Sequence, residues 1–155
     1  MTQLVEPQSL YDRDILLWVE DTVAKLKAHD FESLDLENLI EEVESLGISQ
    51  KRELLSRLFT LLEHLLKRLY VDLPNDFHGW ERTIRNQRIK LEILLKDVPS
   101  LKTIWNARFL EAWAIALKKV REDYPQVQFP DSWQFSSDLE AMLSDRFWEL
   151  DNIAK

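Results

Sequence analysis

Cysteine is absent from the 155 residues, which excludes disulfides and thiol-ligated metals. Glycine occurs only twice, where an average chain has roughly 7%. So little glycine argues against a phosphate-binding loop, a dinucleotide fingerprint or a fold rich in tight hairpins. No run approaches the ~20 apolar residues needed to cross a bilayer. The opening residues, Met1 to Pro7, lack the positive flank and apolar stretch of a signal peptide. A cytoplasmic location is therefore the default expectation. Almost nothing alternates with period two, so strand signals are poor as well. What remains is a chain with 45% hydrophobic and 31% charged residues, neither disordered nor membrane-spanning in composition. Its length suits one domain, residues 1–155, with enough core to fold without staples.

Charge is unevenly spread. Residues 1–46 carry 12 acidic and 3 basic side chains. Residues 47–121 carry 15 basic and 8 acidic, and residues 122–155 carry 8 acidic and 2 basic. Either the acidic ends neutralise the basic middle within the fold, or the middle meets an anionic partner such as nucleic acid. The first is the simpler expectation, because a net charge of −8 repels a phosphate backbone.

Helical periodicity recurs along the chain. A first helix is predicted over 9–28, with Tyr11, Ile15, Trp18, Val19 and Leu26 on one face. A second runs from the N-cap candidate Asp35 to Leu46, with Gly47 at the expected left-handed C-terminal cap. Ser49 is the candidate cap of a third, about 49–71, whose wide leucine arc places it centrally. Pro74 and Asn75 break the chain before a fourth, about 77–97. A fifth is predicted over 100–123, with Leu101, Trp105, Phe109, Ala112, Ala116 and Val120 inward. After an extended connection, Ser137 and Glu140 match a capping box for a short sixth helix, and Phe147 and Trp148 form an aromatic tail that docks on the body. The expectation is an all-α, single-domain bundle of four or five long helices with a short C-terminal helix.

Polar residues in apolar stripes are the informative exceptions. Arg88 lies four residues after Ile84 and three before Leu91. A buried guanidinium needs an acceptor. Glu42 and Glu44 flank the stripe of the second helix and are the predicted mates of Arg88, with Arg85 close by and Trp80 on the same face as Arg88. This set is a candidate polar core or, alternatively, an anion site. Arg57 and His64 fall two turns apart on one flank of the third helix. Arginine for phosphate and histidine for proton transfer would make a metal-free ribonuclease arrangement. Their R-x6-H spacing resembles the loosest form of the motif in the helical HEPN ribonuclease superfamily. Nucleic-acid binding is otherwise poorly supported, because Arg82, Arg85 and Lys90 scatter around the helix away from Trp80. His29, His64 and His78 lie in separate elements without ligand spacing, so no metal and no cofactor are expected.

Several segments together resemble the bacterial family known as domain of unknown function 29, common in cyanobacteria. They are Leu10-Tyr11-Asp12-Arg13-Asp14 with Leu17-Trp18, the block Leu34-Asp35-Leu36-Glu37-Asn38-Leu39-Ile40-Glu41-Glu42-Val43-Glu44-Ser45-Leu46-Gly47, and Lys51-Arg52-Glu53-Leu54. His64-Leu65-Leu66-Lys67, Trp80, Thr83-Ile84-Arg85, Gln87-Arg88, Pro99-Ser100-Leu101 and Phe147-Trp148 follow. The resemblance implies a small, mostly helical protein, assigns no activity, and transfers no catalytic residue. The functional expectation is a non-enzymatic module that binds another protein or itself, with no membrane. The alternative is an RNase-like, metal-independent nucleic-acid-processing enzyme using Arg57 and His64.

Overall fold

Asp14 decides where the first long helix begins. Its backbone is extended (φ −156°, ψ 96°), and its side chain accepts the Leu17 amide at 3.1 Å. This N-cap splits the helix expected over 9–28 into a single turn, α1 (Leu10–Arg13), and α2 (Ile15–Lys27). α2 closes with a Schellman arrangement. The His29 amide donates to the Leu26 carbonyl and the Asp30 amide to the Lys25 carbonyl, while His29 adopts φ 58°.

The second and third predicted helices are one element, α3 (Leu36–Tyr70). Asp35 opens it as expected, accepting from the Asn38 amide at 3.4 Å. Gly47 does not terminate it, and neither glycine has a positive φ. The reason is register. Leu36, Ile40 and Val43 recur on the same helix face 18 residues, or five turns, later as Leu54, Leu58 and Leu61. The apolar stripe stays in phase across Gly47, and one glycine inside a helix costs only roughly 1 kcal/mol.

The computed structural model describes residues 8–150, so the N-terminal stretch read for a targeting signal lies outside the described residues. The fold is all-α, with no strand among those residues. None of the helices is long and apolar enough to cross a membrane. The chain divides into two compact units, Met1–Ile48 and Ser49–Lys155. Described residues of the first unit bury little: only Trp18 and Thr22 are sealed from solvent.

The second unit holds the core. α4 (Pro74–Asp97) starts three residues earlier than predicted, because Pro74 sits in its first turn, where a missing amide proton is harmless. A 3-10 stretch over Pro99–Ile104 precedes α5 (Trp105–Asp123), so the predicted fifth helix begins as a tighter coil. Leu54, Leu58 and Leu61 of α3 meet Ile84 and Leu91 of α4 and Ala112 and Ala116 of α5 in one cluster. α6 (Leu139–Ser144) lacks the expected capping box: Asp138 is its N-cap residue, without a side-chain bond, and the Ser137 carbonyl instead accepts from Trp105 Nε1 at 2.9 Å. Trp113 Nε1 donates to the Asp131 carbonyl and Trp133 Nε1 to the Ser136 carbonyl. Such bonds fix a connection that has no ladder of its own. The aromatic tail docks as predicted: Phe147 is 1% exposed and meets Trp133 edge-on at 5.2 Å.

Candidate functional site

α4 carries Ile84, Arg88 and Leu91 inward together, so the guanidinium is buried with them. Its acceptors differ from those predicted. Arg88 Nε donates to the Met142 carbonyl at 2.8 Å, and Nη2 donates to the Asp145 carbonyl at 2.6 Å. These carbonyls lie at the C-terminal end of α6, where helices leave acceptors without intrahelical partners. A guanidinium answers two of them and the negative end of the local dipole at once. Burial lowers the Arg88 pKa and Asp145 opposes that shift.

Glu42 and Glu44 therefore are not the mates of Arg88. Glu42 accepts from Tyr11 Oη at 2.5 Å, and this bond, with burial behind it, pushes the Tyr11 phenol up to about 12. Glu44 is exposed. Tyr11 was overlooked as a polar partner because its ring fitted the apolar face, where it packs edge-on against Trp18 at 5.0 Å.

Arg85 and Arg88 do come together, lining a cleft of about 430 Å³ with Ile84, Arg146 and Trp148. Trp80 does not line it and instead tilts against Phe77 at 6.0 Å. The cleft also holds Glu81, which pairs with Arg68 at 3.2 Å and Arg146 at 3.6 Å, and Glu92. Two carboxylates among three guanidiniums leave a site of little net charge. Chemically, the strongest feature here is a clamp that holds the tail to α4.

Arg57 and His64 share a flank of α3 but are bound separately. Arg57 Nη1 donates to Gln87 at 3.5 Å and pairs with Glu53 at 3.7 Å. His64 Nδ1 lies 2.8 Å from the Thr60 carbonyl and 3.4 Å from Glu63. Burial lowers its pKa, opposed by the Thr60 bond, while Lys67 lowers it further. The sequence reading missed Glu63, 5% exposed, four residues after Phe59 and three before Leu66. Lys119 Nζ approaches it at 2.5 Å and Lys67 at 3.9 Å. Bonds to Glu63 and then to Asp123 raise the Lys119 pKa. Among the described residues no three His, Asp or Glu side chains group to hold a metal.

The first unit presents a different kind of surface. On α3, Leu36, Ile40, Val43 and Leu46 are 59%, 50%, 63% and 64% exposed. On α2, Ile15, Val19, Val23 and Leu26 are exposed too. Two helices thus carry stripes with core spacing that stay exposed among the described residues, the one on α3 more than the one on α2.

One family model matches over residues 10–148, that of Domain of unknown function DUF29. No curated protein and no solved structure matches the chain.

Proposed function

Because the chain belongs to the DUF29 family, whose description carries no activity, we propose a function from physical character alone: a non-enzymatic protein-interaction module that docks through the apolar face of its first unit. The observation that carries this reading is the open stripe Leu36, Ile40, Val43 and Leu46 on α3. Contiguous exposed apolar surface of that kind marks interaction sites in soluble proteins. Covering one aliphatic side chain fully is worth roughly 1.5–3 kcal/mol, so a few such contacts support binding. The basic middle does not favour nucleic acid, because several of its cations are already paired. Arg68 meets Glu81, Lys119 meets Glu63, and Arg108 meets Glu111.

A photo-cross-linking residue at Val43, with a control at exposed Glu92 on α4, tests the reading in living cells. The expected result is a discrete adduct from position 43 alone, identified by mass spectrometry. Adducts from neither position, or equally from both, would remove the support. The enzymatic alternative is tested by incubating labelled RNA with the protein in chelator. Cleavage that disappears in His64→Ala would put a nuclease in place of this proposal.

A further inference from the structure

Resting on that docking surface, we infer that its occupant is an amphipathic helix with lysine or arginine flanks, supplied by another protein rather than by a second copy of this chain. The shape of the surface selects a helix. Leu36, Ile40, Val43 and Leu46 form a straight stripe about 15 Å long at 1.5 Å per residue. In the second unit, α3 carries the same spacing as Leu54, Leu58 and Leu61, and these are buried in one cluster with residues of the helices α4 and α5. A surface whose in-phase extension accepts helices is fitted for another one.

The rim selects the charge. At 100° per residue, Glu37 and Glu44 fall along one edge of the stripe and Glu42 along the other, while Glu41 points away. Glu37 and Glu44 are exposed. Residues 1–48 hold 12 acidic side chains against 3 basic ones, and one of those three, Lys25, already pairs with Asp21 at 2.8 Å. A second copy of this unit would bring the same excess of negative charge to the seam, well inside a Debye length of about 8 Å at physiological salt. A helix with basic flanks would instead pair with the Glu37 and Glu44 edge, Glu42 on the other being already bonded to Tyr11, in the manner of interhelical charge pairs beside a coiled-coil seam.

The test uses the full chain and two labelled peptides of about 18 residues, long enough to hold helical structure. Both carry the same leucine stripe, one with lysine flanks and one with glutamate flanks. Fluorescence anisotropy is expected to show the Leu/Lys peptide binding at least tenfold more tightly than the Leu/Glu peptide. Raising salt from about 0.15 M to about 1 M should erase most of that difference. Ile40→Ser with Val43→Ser should weaken binding tenfold or more. Glu37→Gln with Glu44→Gln should weaken it several-fold, and Glu41→Gln should leave it unchanged. Equal binding of both peptides, lost together in the serine variant, would overturn the basic partner while leaving the docking surface standing. Leu/Lys binding that ignores the serine substitutions would overturn both, since it would be adhesion to acidic charge. A concentration-dependent dimer abolished by Ile40→Ser with Val43→Ser would make the occupant a second copy and overturn the inference.

Discussion

Replacing Arg88 with methionine keeps the bulk of the side chain and removes the donors that answer the Met142 and Asp145 carbonyls. A buried acceptor left without a partner costs about 1–3 kcal/mol. Water can reach Asp145, which is exposed, but Met142 is sealed. The expected outcome is a loss of about 2 kcal/mol in urea unfolding, with red-shifted Trp148 emission as the tail loosens, whereas Arg85→Met changes neither. Unchanged stability in Arg88→Met would show that the clamp contributes nothing. The spacing of Arg88 between Ile84 and Leu91 was enough to read its burial from sequence. Its acceptors were not legible, because backbone carbonyls carry no residue-type signal. The same spacing marks Glu63, whose mate Lys119 lies on another helix. His64 adds a pH dependence. Burial holds its pKa below the ordinary 6.5 in the fold, so the unfolded chain binds the proton first. Its contribution is complete above about pH 6.5 and is lost as pH falls from there through the folded value. Urea midpoints measured from about pH 7.5 to about pH 5 should decline less in His64→Gln than in the parent chain.

Gly47 shows how an element can override its punctuation. Glycine followed by a capping serine is a sound stop signal when the apolar pattern changes phase. Here Leu36, Ile40 and Val43 remain in phase with Leu54, Leu58 and Leu61, and the helix continues. A Cβ added at Gly47 would meet nothing within 4 Å, so Gly47→Ala tests helix propensity alone. It should stabilise α3 by about 1 kcal/mol, seen as a higher urea midpoint and slower amide exchange around position 47. A destabilised variant would mean that the helix needs glycine there as a hinge. The long stripes of α4 and α5 were legible because their apolar spacing is strong. The break at Asp14 was not, because Tyr11, Ile15 and Trp18 keep helical spacing across it and only the cap geometry reveals the interruption.

The two units differ in what holds them. The second buries a continuous cluster that includes Leu58, Leu65, Leu91, Phe109 and Phe147. The first has Trp18 and Thr22 as its sealed side chains among the described residues, while its acidic excess opposes compaction. Helices of about 12–15 residues are marginal in water without packing, and α2 has 13. Opening the first unit exposes little additional apolar surface, so it should open at a free energy well below that of the core. Native-state hydrogen exchange is expected to give amides of α2 at least 100-fold less protection than those of Leu58 to Leu66 and Leu91 to Leu95. Bound to a lysine-flanked amphipathic peptide, the first unit should gain protection while the second stays unchanged, because a ligand stabilises the state it selects by mass action. Equal protection throughout the free chain would mean that the exposed stripes are already covered in solution, and the docking surface would have to be sought elsewhere.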